Sequence, residues 1–391
     1  MYRVALICAL IALVVSAAAE AGPGLVVGVS EDMVKWSATR PALTHRHVQH
    51  LGIGAIRVTF RWAPGQSYAR GTTMVALRRA EQAAAGRKLV LAVYSRADRT
   101  PLTESMRSQY CTFVVRLLNA APSVRDVVIW NEPNSPTFWK PQFGPNGESA
   151  APAAYERLLA DCYDAVHAAH PGVNVIAPSA PRGNDDPGSV RPSHSPRAWY
   201  AELAEAYRAS GRTRPIFDTV GHNPYPNTSA EPPWVRHAGG TIGEGDYEKL
   251  VFVLTEGFAG TAQPIPGNGL SIWYMEDGFQ TRVGATRSRL YRGRENDSWA
   301  LDAAAAGRRT AGRRQNDQAT QLADAMRLAY CQPYVGAFFN FLLADEPTLS
   351  GWQSGLLWSN WQPKPSYQAF AHAVADIGRG WVDCTAFAGL G

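Results

Sequence analysis

Two glutamates stand at the ends of apolar runs, where a buried strand would present a polar side chain. The run VVIW leads into Asn131, Glu132 and Pro133, and the run LSIWYM leads into Glu276. Proline cannot donate to a strand ladder, so the first of these strands must end there. Two carboxyl groups in different environments can act as a pair, one protonated as a general acid and the other ionised. Spacing alone leaves open the alternative that Glu132 is an acidic loop residue without a chemical role.

The elements that would position these glutamates are short β-rich runs alternating with helical stretches, which predicts parallel strands joined by crossover helices. Eight strand–helix pairs in strict alternation favour a single (βα)8 barrel of the α/β class, spanning residues 22–391. The carboxyl ends of the strands in such a barrel carry the active site, so both glutamates would face one mouth. The predicted strands are Leu25–Val29, Ala55–Phe60, Leu89–Tyr94, Val127–Asn131, Val173–Ala177, Phe217–His222, Leu270–Glu276 and Val335–Phe341.

The segment VVIWNEPN resembles the fourth strand of the clan A glycoside hydrolases, which include families 5 and 39. In that clan the strand ends in Asn-Glu-Pro, its Glu is the general acid/base, and its Asn binds the sugar 2-hydroxyl. The resemblance therefore implies that Glu132 is the acid/base and that Asn131 contacts substrate. The segment LSIWYMEDGFQT is similar to the clan's nucleophile strand, which implies that Glu276 is the nucleophile. Met275 and Asp277 depart from the residues frequent there.

Further positions are similar to substrate-binding residues of the same clan. His222 and Tyr225, at the end of the sixth strand, match a His and a Tyr of which the Tyr is hydrogen-bonded to the nucleophile. Arg57 matches an arginine that pairs with the nucleophile and keeps it ionised. Trp358, after the eighth strand, is the first candidate for an aromatic platform under the sugar. The alternative is that each of these residues has only a structural role. Other candidate aromatic residues are Trp352, Trp361, Trp62, Trp139 and Phe339.

The resemblance implies a retaining O-glycosyl hydrolase that cleaves a polysaccharide or oligosaccharide by double displacement. A transglycosylase on the same site and a non-catalytic carbohydrate-binding barrel are the alternatives. Retention of both Glu132 and Glu276 argues against the non-catalytic barrel. The sequence holds no HExxH, P-loop or GxGxxG motif, so we expect no metal and no cofactor.

A second glutamate competes with Glu276 for the role of nucleophile. The run VFVL leads into Thr255, Glu256 and Gly257, which also looks like a strand tip. Were it a strand, the sixth helix would have to fit into the preceding segment, which is rich in proline and glycine. We therefore predict that this run is a helix, with Glu256 on the outside of the barrel.

The first 21 residues have the pattern of a secretory signal: Arg3, an apolar run, and small residues at Ala17, Ala19 and Ala21. An uncleaved membrane anchor is the alternative. No other stretch approaches the roughly 20 apolar residues that span a bilayer, so we expect a secreted protein without a membrane association after cleavage.

Five cysteines are present, and Cys8 would leave with the signal. The remaining four permit two disulfides in an oxidising compartment. We favour a bridge between Cys331 and Cys384, which would tie the C-terminal tail to the last barrel helices. The partners of Cys111 and Cys162 stay open.

The net charge of +5 is mild and spread along the chain, so it argues little about partners. The resemblance implies a carbohydrate substrate, and we expect no nucleic acid and a monomer. Residues 282–314 are unusually rich in arginine. This stretch is either a solvated loop at the barrel mouth or a binding strip for an acidic polysaccharide.

Overall fold

The protein folds as a closed barrel of eight parallel strands in a computed structural model that describes residues 22, 24–295, 301–302 and 317–388. Neighbouring strands in the chain are neighbours in the barrel, and β8 closes it by pairing with both β7 and β1. This confirms the predicted (βα)8 fold. The strands are β1 Val26–Ser30, β2 Ala55–Arg61, β3 Lys88–Tyr94, β4 Asp126–Ile129, β5 Asn174–Ser179, β6 Thr219–His222, β7 Gly269–Asp277 and β8 Val335–Phe341.

Eight α-helices in the described part of the chain surround the barrel, one after each strand. They are α1 Arg40–Leu51, α2 Thr72–Ala84, α3 Glu104–Ala120, α4 Ala151–Ala169, α5 Pro196–Ala209, α6 Tyr247–Phe258, α7 Gln318–Tyr330 and α8 Ser366–Arg379. Several begin at side chains that accept a backbone N–H: Thr103 caps α3, Ser195 caps α5 and Asp317 caps α7. The run that contains Glu256 is helix α6, and Glu256 is exposed on it, as predicted.

Apolar side chains fill the inside of the barrel below the mouth. The ring of Phe339 occupies this space with Trp273 and Met275, and Gly28 on the neighbouring strand β1 leaves room for the Phe339 ring because a Cβ there would collide with it. A packed interior of this kind makes the barrel a rigid support for its loops rather than a channel. Phe339 is fully buried and cannot form part of a sugar platform.

Two disulfides join elements on the outside of the barrel. Cys331, directly after α7, is bonded to Cys384 in the C-terminal segment, which confirms the predicted pair. Cys111 on α3 is bonded to Cys162 on α4. Within the described ranges, no helix has the length and apolar character needed to cross a bilayer. The predicted signal, residues 1–21, lies outside the described residues.

Candidate active site

The carboxyl ends of the strands surround a cavity of about 920 Å³. Arg57 on β2, Glu132 and Asn131 after β4, Tyr225 after β6 and Glu276 on β7 all line it. Five of the seven site residues expected from the sequence therefore meet in one place. The structure assembles them from four separate strands, as the barrel topology requires.

The segment that follows β4 leaves the sheet early and holds Glu132 in an unusual conformation. The strand ends at Ile129, two residues before the predicted end, because Trp130 and Glu132 have positive φ angles of 71° and 36°. Such angles are unfavourable for side chains other than glycine and persist only where neighbours enforce them. Here the Trp130 backbone N–H donates to the Val93 carbonyl at 2.9 Å, and its indole N–H donates to the Phe138 carbonyl at 2.8 Å.

The Glu132 side chain is partly buried, and its carboxyl group meets one amide donor. Asn223 Nδ2 donates to Glu132 Oε1 at 2.7 Å. Burial, reinforced by the nearby charge of Glu276, raises the pKa of Glu132 to about 7, although the Asn223 hydrogen bond and the Arg57 charge act in the opposite direction. Glu132 is therefore protonated below neutral pH and can donate that proton.

The Glu276 carboxylate has charged and polar partners on both oxygens. Arg57 Nη1 lies 2.7 Å from Glu276 Oε1, and the Tyr225 hydroxyl donates to Glu276 Oε2 at 3.1 Å. Burial is the largest influence on Arg57 and opposes its charge, but Glu276 and other acidic groups nearby together raise the pKa of Arg57 above its ordinary value. The second guanidinium nitrogen, Nη2, donates to Asn131 Oδ1 at 3.2 Å, so Arg57 links the two strand tips.

His222 does not line the cavity, and its position does not support the predicted substrate contact. It is fully buried, with Nε2 2.8 Å from the Ile242 carbonyl and Nδ1 2.8 Å from Ser179 Oγ. A carbonyl only accepts, so Nε2 carries the proton and Nδ1 accepts from the serine. Burial lowers the pKa of His222 to about 4, so the ring is neutral and fastens β6 to β5 and to the loop that contains Ile242.

Trp358 also lies outside the cavity, which corrects the first choice of sugar platform. Its ring is buried beside Tyr291, with Arg287 4.6 Å and Lys364 4.9 Å from the ring centre. Trp352, the alternative on the same loop, lines the cavity and is 37% exposed. The other tryptophans considered, Trp361, Trp62 and Trp139, are buried outside the cavity.

The loop after β8 adopts this arrangement because a buried ion pair fixes its base. Lys364 Nζ lies 2.7 Å from Asp345 Oδ1, and both side chains are fully buried. The Tyr291 hydroxyl donates to the other Asp345 oxygen at 2.6 Å. Trp358 packs against this network, whereas Trp352 turns into the cavity, where its ring centre lies 5.2 Å from that of Tyr225.

Sequence reasoning missed three polar residues of the site. Asn223 binds Glu132, and Arg61 and Arg182 line the cavity. Asn223 and Arg61 could have been found by the rule that located Glu132, since both are polar residues at the carboxyl end of a strand. Arg182 lies three residues beyond the end of β5, where strand periodicity no longer applies.

Neither protein-family models nor curated protein sequences match this chain. Solved structures share its fold. A family 39 glycoside hydrolase from Bacteroides cellulosilyticus WH2 superposes with a TM-score of 0.59 at 19% identity, covering 90% of this chain and 63% of that one. The chain thus spans less than two thirds of that protein.

Two other solved structures give a similar result. GH5_18 from Streptomyces cattleya, in complex with GlcNAc, has a TM-score of 0.57 at 13% identity and covers 90% of this chain and 80% of its own. A monomeric beta-xylosidase from Caulobacter crescentus CB15 has a TM-score of 0.52 at 17% identity, with coverage of 90% and 69%. The chain therefore has the barrel fold found in glycoside hydrolases of families 5 and 39, which confirms the resemblance at the level of the fold.

Proposed function

We propose that the protein is a retaining O-glycosyl hydrolase that acts on a polysaccharide or oligosaccharide, with Glu132 as acid/base and Glu276 as nucleophile. One observation carries the proposal: two carboxyl groups share a cavity but have opposite surroundings. Burial keeps Glu132 protonated, while Arg57 and Tyr225 stabilise an anion at Glu276. Glycoside cleavage needs this division into a proton donor and a charged partner.

In the first step, Glu132 gives its proton to the glycosidic oxygen while a Glu276 oxygen attacks the anomeric carbon. The bond to the leaving group breaks through an oxocarbenium-like transition state, and a glycosyl ester forms on Glu276. Esterification removes the negative charge of Glu276. Since that charge is one cause of the raised pKa of Glu132, the pKa falls in the intermediate. Glu132 is then suited to take a proton from the water that hydrolyses the ester.

The contacts of Glu276 favour a nucleophile over a general base. Both its oxygens already accept from donors that stabilise and orient an anion, and neither donor needs to move for attack on carbon. The Asn131 amide oxygen is occupied by Arg57, which leaves its NH2 group for a sugar hydroxyl. Trp352 offers a flat apolar face at the cavity wall, a surface on which a sugar ring can pack.

The two disulfides favour an oxidising compartment, which supports our interpretation of residues 1–21 as a secretory signal. His222 and Trp358 are assigned structural roles, because each fastens a loop that bears a cavity residue.

The test is hydrolysis of a panel of aryl glycosides and polysaccharides by the purified protein, with proton NMR of the first product formed. We expect the product to keep the anomeric configuration of the substrate. An inverted product would overturn the retaining mechanism, and absence of turnover on the whole panel would overturn the enzymatic function. Chromatography that shows oligosaccharides longer than the substrate would instead indicate transglycosylation.

A further inference from the structure

The cavity contains a cation without a counter-ion at the end of β2. Arg61 is the last residue of that strand, four residues beyond Arg57, and it lines the cavity with an exposed side chain. Alternation along a strand puts Arg57 and Arg61 on the same side. Arg57 is paired with Glu276, but in the described part of the chain no carboxylate lies within 4.0 Å of the Arg61 guanidinium.

A second such cation stands across the mouth, after β5. Arg182 Nη2 donates to two neutral acceptors, the carbonyls of Tyr225 and Pro226, at 2.7 and 2.8 Å. Among the residues described, none supplies it with a carboxylate within 4.0 Å. Burial lowers the pKa of Arg182, against the more distant charges of Glu231 and Glu132. The residue is nevertheless exposed at its surface, so the guanidinium, which contacts only carbonyl oxygens, is accessible to an anion in the cavity.

The other charges of the cavity wall do not balance these two arginines. Asp32 lines the cavity but lies 2.9 Å from Lys35, a cation that does not line it, and Arg57 neutralises Glu276. Glu346 is the one further acid on the described wall besides Glu132, and it accepts the Trp352 backbone N–H at 2.7 Å. When Glu132 is protonated, Glu346 is the single unpaired carboxylate on the described wall, against the two arginines Arg61 and Arg182. Excess charge of one sign on a concave wall attracts ligands of the opposite sign.

A basic rim continues from this wall. Arg292 lies in the loop after β7. Its backbone carbonyl accepts the Leu349 N–H at 2.8 Å, and its backbone N–H donates to the Pro347 carbonyl at 2.9 Å. The residues directly after Leu349, 350–352, line the cavity. Arg292 is exposed, as are Arg289 and Arg294 beside it, and none of the three has an ion pair within the described residues. The described part of the arginine-rich stretch thus contains residues at the edge of the site.

We infer that the substrate is an anionic polysaccharide, whose carboxylate or sulfate groups bind Arg61 and Arg182 in the cavity and Arg292 at its rim. The inference rests on the proposed glycosidase function. Of the two interpretations of the arginine-rich stretch, the inference favours a binding strip for an acidic polysaccharide over a solvated loop. Guanidinium groups suit such anions because they form paired, charge-assisted hydrogen bonds.

The test compares matched substrates. Uronate polymers (polygalacturonate, alginate and hyaluronan) are assayed beside their carboxyl-reduced forms, and chondroitin sulfate beside its desulfated form, by release of reducing ends. Glu276→Gln protein is titrated with the same polymers to measure binding without turnover. We expect removal of the anionic groups to lower kcat/KM or affinity by about tenfold or more. The uronate and sulfate arms separate the two sources of charge.

Single-residue variants test which arginines cause the preference for anionic polymers. Arg61→Gln and Arg182→Gln should each reduce the preference for the anionic over the matched neutral polymer by about tenfold, and Arg292→Gln by about threefold in a salt-sensitive manner. Arg182→Lys should keep part of the preference, because it keeps the charge. Arg87→Gln, an exposed arginine at the opposite end of the barrel, is the control and should change nothing.

The outcomes separate the two proposals. Cleavage of neutral glycans without preference for an anionic counterpart, or failure to bind any anionic polymer, overturns the inference and leaves the glycosidase function intact. Equal loss of activity on both members of a pair in Arg182→Gln also contradicts it, because Arg182 would then only hold the loop of Tyr225. Absence of all cleavage, together with arginine-dependent binding of anionic polymers, would overturn the glycosidase function and retain the anionic ligand.

Discussion

The tips of β4 and β7 face the same cavity but place their carboxyl groups in different surroundings. At β4 the chain leaves the sheet at Ile129, and Glu132 has only an amide donor, from Asn223. At β7 the strand continues through Asp277, with an irregular register against β8, and Glu276 meets Arg57 from β2. Identical side chains thus acquire different surroundings from the strands beside them. The difference lies in which neighbouring strand supplies a cation.

The β7 tip also places two adjacent acids in different surroundings. Glu276 lines the cavity, whereas Asp277 is fully buried, is absent from the cavity wall and keeps Oδ2 without a hydrogen bond. Burial raises the pKa of Asp277 to about 7. The register between β7 and β8 is irregular between Tyr274 and Asp277, and Met275 and Glu276 both face the inside of the barrel, so simple alternation along the strand does not separate the two acids.

The largest effect is expected at the β7 tip. Glu276→Gln removes the attacking oxygen and should lower kcat by roughly 10⁴-fold or more. Glu256→Gln, on the exposed face of α6, is the matched control and should stay within a few fold of the parent protein. Steady-state kinetics with an aryl glycoside measures both. A mechanism-based fluorosugar should label Glu276, and a label recovered on Glu256 would reverse the assignment.

At the β4 tip, Glu132→Ala should lower turnover of substrates with poor leaving groups by about 10²–10⁴-fold. Substrates with very good leaving groups need little protonation and should keep part of their activity. Added azide should restore turnover by attacking the glycosyl ester in place of activated water. Uniform loss on all substrates, without an azide response, would place the proton donor elsewhere.

Two tryptophans of the loop after β8 should respond differently to substitution, because only one of them lines the cavity. Trp352→Ala should raise KM by about tenfold, because it removes exposed aromatic surface in the cavity. Trp358→Ala should instead lower the free energy of unfolding by roughly 3–5 kcal/mol, because it leaves a hole in a packed cluster. Kinetics and thermal unfolding of both variants distinguish these effects. The reverse pattern would make Trp358 the platform.

The smallest effect concerns the pH profile. Glu132 must be protonated in the first step, so kcat/KM falls as pH rises through its pKa. Asn223 stabilises the charged carboxylate, and Asn223→Ala should therefore raise that pKa further and move the alkaline limb up by about one pH unit. The acid limb should stay in place. An unmoved alkaline limb, or one displaced downward, would show that Asn223 does not tune Glu132.

The sequence by itself determined the barrel, since eight alternating runs left no other common architecture, and β8 begins and ends where it was predicted. It also separated Glu276 from Glu256, because proline and glycine before α6 excluded a preceding helix. The apolar runs indicated where the strands end, and the resemblance to clan A pointed to Arg57 and Glu276, both of which line the cavity.

Only the tertiary structure decided which polar and aromatic residues beyond the strand ends reach the cavity. His222 ends β6 and turns away from the cavity, while Asn223, one residue later, binds Glu132. The loop after β8 places Trp352 rather than Trp358 in the site, because the buried Lys364–Asp345 pair fixes its base. Beyond a strand end the backbone has no fixed period, so side-chain direction depends on long-range contacts that local sequence does not encode.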